Sequence, residues 1–217
     1  MIHRPVLDHY RAVNLPDAPF VPKRPPYGGV GIDDVIVTAT AWRVDPRGAL
    51  GELYREAFDG PCEQAYVSIT RPDSVKGWHL HCAPDGVARG GKGEAMRRVQ
   101  TDRFLLLRGR IRIALIDLRG YGGKGTAASG NVCHPTRFHA ATGLPSAEVE
   151  LDSALGCLRV DIPPGVAHGW IALGNEDAHV LNLVSRAYDG VMERRCDPHG
   201  PVAPGLPAWD WRVRRDG

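Results

Sequence analysis

Two histidines separated by one residue, His79 and His81 in VKGWHLHC, are the first candidates for chemistry in this sequence. The stretch 77–82 predicts a β-strand, and side chains two positions apart on a strand leave the same face. Both imidazoles can therefore reach one point inside a barrel. Imidazole is a common general base near neutral pH and the most common metal ligand. The pair indicates a catalytic base, one edge of a metal site, or solvated residues on a strand surface.

Two further segments hold residues that could complete such a site. In IPPGVAHGW (162–170), the prolines fix the backbone φ and the glycine permits a tight corner, so His168 is expected at a barrel rim, pointing inward. In TDRFLLLRG (101–109), Asp102 begins a predicted strand and stands seven residues before Gly109. His168 and Asp102 are therefore the expected partners of the histidine pair.

These segments resemble the two motifs of the cupin superfamily. The first cupin motif is HxH followed later by an acidic residue, six residues and a glycine, and the second is P-x-G-x-x-H. The resemblance implies a metal site of His79, His81 and His168, with Asp102 at the position where metal-binding cupins have a glutamate. Three imidazoles and a carboxylate suit Fe, Mn, Ni or Zn. An aspartate reaches one methylene less far than a glutamate.

Short β-strands must position these residues. Strands are predicted over residues 34–44, 63–70, 77–82, 103–118, 157–162, 169–173 and 179–188. Each run is bounded by Gly, Pro, Asn or Asp, and several alternate apolar and polar residues. This pattern predicts an all-β antiparallel sandwich or barrel. The stretch 49–58 fits a helix or a strand equally well.

The composition favours a turn-rich β protein and excludes several classes of function. Glycine (26) and proline (18) are abundant, and the net charge of +2 predicts no nucleic-acid partner. The five cysteines are scattered without a CxxC pair, which favours reduced thiols in the cytoplasm over a zinc knuckle. The sequence shows neither a signal-peptide core nor an 18-residue apolar run, so no membrane partner is expected.

The chain is divided into an extended N-terminal arm and one domain. Residues 1–30, rich in proline, are expected to form the arm, and residues 31–217 a single domain. Two long segments, 83–100 and 120–147, interrupt the strand pattern and are candidate lids or mobile loops. The second of them contains His134 and His139, for which a surface position is expected.

Six segments spread over residues 45–200 carry a closer resemblance. They are DPRGALGEL, EQAYVSIT, KGWH, GRIRIALIDLR, IPPGVAHGW and SRAYDGVMERR. In combination they are similar to the motifs of the dTDP-4-dehydrorhamnose 3,5-epimerase family. That family is a cupin branch that acts on nucleotide-linked 4-keto-6-deoxysugars.

The resemblance implies a jelly-roll barrel that forms a homodimer and binds a small molecule such as a nucleotide-linked sugar. It also implies a mechanism in which a histidine removes a proton α to a ketone, a tyrosine protonates the opposite face, and a lysine stabilises the enolate. By position, the base is His79. The implied substrate-binding positions are Arg47, Glu52 and Gln64, together with Lys76, which replaces an arginine of the family.

The sequence departs from the family at the other catalytic positions. Asp102 occupies the position of the lysine, and Asn182 that of the tyrosine. Tyr66, at the asparagine position of the EQAYVSIT strand, could supply a phenol from another strand. The aspartate that orients the family's histidine belongs to a C-terminal extension that this chain is expected to lack. The candidate catalytic residues are thus His79, Tyr66 and Asp102, and Asn182 is assigned to the substrate-binding set.

Three hypotheses for function follow. The first is a divergent sugar-nucleotide epimerase or isomerase without a cofactor, with Arg103 as a further residue near the substrate. The second is a metal-dependent cupin enzyme of the dioxygenase or isomerase type, because a divalent ion can polarise a carbonyl as the missing lysine would. The third is a non-catalytic cupin that binds a small ligand. His81 discriminates between the first two, since the epimerase pattern does not require it and a metal site does.

Overall fold

A computed structural model describes residues 26–30, 32–40, 42–83, 99–119 and 144–212. Within those ranges almost every element is a strand. The strands are β1 (Pro26–Gly29), β2 (Ile36–Ala39), β3 (Trp42–Asp45), β4 (Gly48–Gly51), β5 (Gln64–Thr70), β6 (Val75–His81), β7 (Asp102–Arg108), β8 (Arg110–Asp117), β9 (Ser146–Asp152), β10 (Leu158–Ile162), β11 (Val166–Leu173), β12 (Ala178–Val184) and β13 (Glu193–Arg195). A short helix, α1, spans Glu56–Asp59. The all-β prediction is confirmed.

The strands form two antiparallel sheets and a small hairpin. The six-stranded sheet has the order β1–β2–β10–β7–β12–β5, and the five-stranded sheet has the order β13–β6–β11–β8–β9. The hairpin consists of β3 and β4. The chain crosses from one sheet to the other at Gly109, where φ is +82° and a Cβ atom would lie 2.8 Å from the backbone oxygen of Asp177. Only glycine suits this corner.

Apolar side chains from both sheets fill most of the space between them. Because strand residues alternate between faces, the inward face of β11 carries Val166, His168, Trp170 and Ala172. His168 is the polar member of this stripe, and it is 1% exposed. The ring of Phe104 lies between the rings of His168 and Trp170, at centroid distances of 5.5 Å and 5.1 Å. The polar site therefore rests directly on the apolar core.

The C-terminal segment covers the outer face of the five-stranded sheet. Trp78 points outward from β6 and is 1% exposed, because Trp209 and Trp211 pack against it at centroid distances of 5.9 Å and 5.0 Å. Val202 and Leu206 extend the same cluster. This cover makes β11 buried on both faces, so the strand that carries His168 is held rigidly.

A bulge in β6 brings two functional candidates to the same side of the strand. His168 pairs with His79, but Trp170 pairs with Lys76, so β6 contains one extra residue between these pairs. A bulge shifts the alternation of side chains by one position. Lys76 and His79, three residues apart, therefore both face the inside of the barrel. At the bulge the backbones of Gly77 and Gly169 approach closely, and a Cβ atom on Gly77 would lie 2.7 Å from the Cα of Gly169.

Buried ion pairs attach the segment around α1 to the outer face of the six-stranded sheet. Arg159 donates to Asp59 at 2.7 Å and to Asp161 at 2.9 Å. Arg103 donates to the backbone oxygen of Pro61 at 3.0 Å and also to that of Asp59. Arg103 follows Asp102 on β7, so its side chain points away from the barrel interior. The predicted place of Arg103 near the substrate has no support in these contacts, because its side chain anchors this segment on the outer face.

The predicted strands correspond to observed ones, with several differences. The run 34–44 is divided into β2 and most of β3, and the run 103–118 is divided at Gly109 into β7 and β8. The stretch 49–58 contains most of β4 and most of α1. The strands β1, β9 and β13 were not predicted. The last residues of the predicted arm form β1, and residues 1–25 lie outside the described part. Most of the two long segments, including His134 and His139, also lies outside it.

Two predictions concern the partners of this protein, namely a membrane and a second copy of the chain. Among the described residues, no helix is long and apolar enough to cross a lipid bilayer. The homodimer stays a prediction, for light scattering to test. The outward-facing residues Val67 and Ile69 of strand β5, at the edge of the described sheet, are 50% and 52% exposed.

Candidate active site

Asp102 is the centre of a buried polar cluster at one end of the barrel. Its Oδ2 lies 2.8 Å from Nε2 of His81 and 2.9 Å from Nε2 of His168. Its Oδ1 accepts hydrogen bonds from the side-chain amides of Gln100 (2.6 Å) and Asn182 (2.9 Å). The carboxylate is 1% exposed. Four side chains from β6, β11, β12 and the segment before β7 therefore fix its position.

The charges of this cluster stabilise one another. Burial alone would raise the pKa of Asp102, but the His81 and His168 imidazoles outweigh this effect and hold that pKa well below its usual range. Burial likewise opposes the charge on His81, yet the neighbouring carboxylate raises the pKa of His81 above its ordinary value. Asp102 is thus an anion at neutral pH, and its partners must supply a positive charge.

The contact between His168 and Asp102 requires a cation. Nδ1 of His168 donates to the backbone oxygen of Val166 at 3.1 Å, so in the neutral ring the lone pair is on Nε2. That Nε2 is buried and has no hydrogen-bond partner among the described residues, although it faces Oδ2 of Asp102. A lone pair and a carboxylate oxygen repel at this distance, so a proton or a metal ion must lie between them.

The same three residues fit a divalent transition metal. The donor atoms of His81, Asp102 and His168 all lie within 4.8 Å of one another. Nε2 of each histidine lies 2.8 Å or 2.9 Å from the same carboxylate oxygen, so the three residues would hold one ion together. Imidazole nitrogen and carboxylate oxygen are suitable ligands for Fe, Mn, Ni or Zn. The hydrogen bonds to Oδ1 and to Nδ1 of His168 would orient these ligands.

His79 lies beside this cluster but nearer to solvent. Its ring centroid is 5.9 Å from that of His168, and its side chain is 28% exposed. Burial and the neighbouring His168 lower the pKa of His79 to about 4, so its imidazole is neutral at pH 7 and can accept a proton. The carboxylate of Glu193 opposes this effect from the other side, with Oε1 4.0 Å from Nδ1 of His79.

Glu193 is held in this position by the C-terminal strand β13, which pairs with β6. Its side chain is 5% exposed and accepts hydrogen bonds from Arg195 at 3.0 Å and 3.2 Å. No counterpart of the aspartate that orients the family's histidine is identified in the sequence. Glu193 supplies a carboxylate beside the candidate base His79.

Tyr66 reaches the cluster from β5, on the six-stranded sheet that also carries Asp102 and Asn182. Its hydroxyl oxygen accepts a hydrogen bond from the side chain of Asn182 at 2.9 Å, and the same amide donates to Asp102. Burial, together with the negative charge of Asp102, raises the pKa of Tyr66 to about 12. The phenol is therefore protonated at neutral pH and can act as an acid.

Lys76 is a cationic residue that faces the barrel interior, three positions before the candidate base His79 on β6. Its Nζ donates to the hydroxyl of Ser68 at 2.6 Å, which joins β6 of one sheet to β5 of the other. Burial lowers the pKa of Lys76. Ser68 and Tyr66 are two residues apart on β5 and face the same side.

Solved structures share this arrangement of sheets. The chain is similar to a dTDP-4-dehydrorhamnose 3,5-epimerase from Elizabethkingia anophelis, with a TM-score of 0.58 and 19% identity over 87% of this chain and 86% of that chain. A dTDP sugar isomerase from Desulfovibrio desulfuricans has a TM-score of 0.59 and 18% identity over 85% of this chain and 94% of that chain. A 4-keto-6-deoxy sugar epimerase from Streptomyces spheroides has a TM-score of 0.58 and 23% identity over 86% of this chain and 78% of that chain.

The fold is that of the dTDP-4-dehydrorhamnose 3,5-epimerases. The prediction of a cupin jelly roll is thereby confirmed, and so is the resemblance of this divergent chain at the level of its fold. No protein-family model and no curated protein sequence matches the chain. The epimerase fold is therefore visible in the structure although sequence identity to the solved structures is low.

The epimerase fold brings together most of the predicted site residues. His81, Asp102 and His168 form the group of possible metal ligands, and among the described residues His79 stands outside that group. Asn182 and Tyr66 join it through hydrogen bonds. Asp102, predicted as a catalytic residue, is enclosed by its partners and cannot reach a substrate directly.

The other predicted substrate-binding residues lie apart from this cluster. Arg47 is 90% exposed in the β3–β4 turn and donates to Asp45 at 2.7 Å. Glu52 forms an ion pair with Arg55. Gln64, at the start of β5, accepts a hydrogen bond from the backbone of Tyr188 at 3.0 Å. The described contacts therefore place none of these three against the base.

Two residues of the cluster were not predicted from the sequence. Gln100 lies two positions before Asp102, on the side from which it can reach the same carboxylate. Glu193 is the acidic residue of the segment SRAYDGVMERR, which resembles the end of a family motif. The spacing of Gln100 and the family motif were the signals that could have identified them.

Proposed function

We propose that this protein is an isomerase or epimerase that removes a proton α to the carbonyl of a 4-keto-6-deoxy sugar carried on a nucleotide diphosphate. The observation that supports this most strongly is His79, a neutral and partly exposed imidazole beside a buried carboxylate. A general base needs a free lone pair and access to the substrate. His79 has both, whereas His81 and His168 are turned toward Asp102.

The acid and the base of this proposal stand on opposite sheets. His79 projects from β6 and Tyr66 from β5, so a sugar ring between the sheets meets the base on one side and the phenol on the other. His79 takes the α-proton, the electron pair of the broken C–H bond forms the enolate, and Tyr66 returns a proton to carbon. Protonation from the other side inverts the stereocentre. Solvent then restores the proton of Tyr66, and His79 releases the proton that it took.

The structural neighbours support the class of substrate. Two of them, forms of a 3′-monoepimerase from Streptomyces bikiniensis, were solved in complex with dTDP and with dTDP-quinovose. We infer a nucleotide-linked sugar as the small-molecule partner of this chain as well. A cytoplasmic location is part of the proposal, supported by the scattered positions of the five cysteines, which form no CxxC pair.

Substitution of His79 by asparagine tests the proposal. The protein is incubated in D₂O with dTDP-4-keto-6-deoxyglucose, and incorporation of deuterium next to the carbonyl is followed by mass spectrometry. Loss of a general base lowers rates by about 10²–10⁴. We expect His79→Asn to lower the exchange rate at least about 100-fold, because asparagine cannot take up the proton.

The matched control is His199→Asn, at an exposed position after β13 whose backbone nitrogen donates to Asp197. This variant is expected to exchange deuterium at the rate of the unmodified protein. Equal exchange in both variants would remove His79 from the role of base. If the unmodified protein binds dTDP but catalyses no exchange, the alternative of a non-catalytic binding protein replaces the proposal.

A second candidate function is a metal-dependent reaction at the same end of the barrel. The observation that favours it is Nε2 of His168, buried without a hydrogen-bond partner among the described residues and directed at Asp102. A transition metal held by His81, Asp102 and His168 would act as a Lewis acid that polarises a carbonyl oxygen. His79, outside that group, would remain available as a base.

Metal analysis of the purified protein tests this candidate. We expect about one equivalent of a transition metal per chain, and its loss from the variant His81→Asn, because imidazole is a required ligand and asparagine a poor substitute. His179→Asn, on the other sheet, is the matched control and is expected to retain the metal. A protein that contains no transition metal and is equally active after treatment with a chelator contradicts this candidate.

A further inference from the structure

Lys76 carries a positive charge that no described carboxylate neutralises. The two buried acids of the site are occupied, Asp102 by two imidazoles and Glu193 by Arg195. Among the described residues, no carboxylate oxygen lies within 4.0 Å of Nζ of Lys76, and the hydroxyl of Ser68 is the partner observed there. Within the described part of the chain, Lys76 is thus a cation whose charge is left for a ligand.

The fold places this cation on the strand of the candidate base and brings its ammonium group to the strand of the candidate acid. Because of the bulge in β6, Lys76 faces inward on the same strand as His79. Its ammonium group reaches across to Ser68 on β5, two residues from Tyr66 and on the same face. A substrate that lies between His79 and Tyr66 therefore has the ammonium group beside it.

The chemistry of an enolate matches this position. When the α-proton leaves, the electron pair of the C–H bond forms a carbon–carbon double bond and the π electrons of the carbonyl move to oxygen. The resulting oxyanion needs a cation or hydrogen-bond donors that are already in place. An ammonium group has three N–H donors, of which Ser68 takes one and two remain.

We propose that Lys76 is the catalytic residue that stabilises the negative charge on the carbonyl oxygen while His79 holds the α-proton. This rests on the proposed function. Lys76 keeps its own proton throughout, so the only proton that moves is exchanged through His79 and Tyr66. Partial burial strengthens the interaction, because charges attract more strongly where water is excluded.

Binding of the nucleotide diphosphate is the other role that a cation could have here. Phosphates are commonly bound by arginine side chains. Arg195 has 64% of its side chain exposed, and Nη1 of its guanidinium group is left over from the two hydrogen bonds to Glu193. Lys76 offers a single point charge farther inside the barrel. The geometry therefore favours the carbonyl oxygen over the diphosphate as the partner of Lys76, and the two roles give different results on substitution.

The experiment compares Lys76→Met, Lys76→Gln and Lys76→Arg with the unmodified protein. Deuterium exchange into dTDP-4-keto-6-deoxyglucose and the Kd for dTDP are both measured, and circular dichroism confirms folding. Loss of one donor to a developing oxyanion lowers rates by about 10²–10³. We expect exchange to fall about 100-fold or more in the Met and Gln variants, to be largely recovered in the Arg variant, and the Kd for dTDP to change less than about threefold.

Each other outcome overturns the inference. Unchanged exchange in the Met and Gln variants, while the unmodified protein is active, removes Lys76 from catalysis and leaves the proposed function intact. A loss of exchange that is matched by an equal loss of dTDP affinity assigns Lys76 to the diphosphate. An unmodified protein that catalyses no exchange overturns the proposed function, and this inference with it.

Discussion

Replacing Asp102 with alanine is expected to lower the free energy of unfolding by about 3–5 kcal/mol, the typical loss when one member of a buried ion pair is removed. The truncation leaves the imidazoles of His81 and His168 without their counter-charge. It also leaves the amides of Gln100 and Asn182 without a buried acceptor. For a chain of this size the melting temperature falls by about 2–4 °C per kcal/mol, so a decrease of about 6–20 °C is expected.

Two further variants give this prediction its controls. Asp102→Asn keeps the shape of the side chain and one acceptor oxygen but loses the charge, so it is expected to melt between the unmodified protein and the alanine variant. Asp45→Ala removes an exposed aspartate whose partner Arg47 is also exposed, and its melting temperature is expected to stay nearly unchanged. A decrease in Asp102→Ala no larger than that in Asp45→Ala contradicts the central role of this carboxylate.

The residues of this cluster could be predicted because their positions depend on local patterns. The alternation of side chains along one strand places His79 and His81 on the same face. The prolines and glycine before His168 determine where its strand begins, and Asp102 opens another strand. The general shape of the fold followed from the same short-range signals, namely short strands separated by turn residues.

The rest depended on contacts between distant parts of the chain. β13 has only three residues, too few for a recognisable alternation, and Glu193 reaches His79 only because this strand pairs with β6. The bulge that turns Lys76 inward exists only in the register between β6 and β11. The sequence alone predicts the opposite face for a residue three positions before His79. The one extra residue of this β-bulge thus decides whether the charge of Lys76 faces the barrel interior.

Substitution of Gly77 by alanine is expected to destabilise the protein by about 2–6 kcal/mol, because two costs add at this bulge. Gly77 has a φ of +144°, a conformation that other residues adopt at a cost of about 1–3 kcal/mol. A Cβ atom there would also lie 2.7 Å from the Cα of Gly169. Overpacking of this kind costs about 1–3 kcal/mol. The free energy of unfolding, determined by urea denaturation, measures the sum of the conformational and the steric cost.

Two neighbouring glycines separate the two costs. Gly174 has a φ of +84° and open space around it, so Gly174→Ala reports the conformational cost alone. Gly169 lacks a positive φ, but a Cβ atom on it would lie 2.8 Å from the backbone oxygen of Lys76, so Gly169→Ala reports the steric cost alone. If Gly77→Ala is no less stable than Gly174→Ala, the close contact between β6 and β11 is not what holds the bulge. Since that contact turns Lys76 and His79 to the same side, a folded Gly77→Ala protein should also lose deuterium exchange while it still binds dTDP.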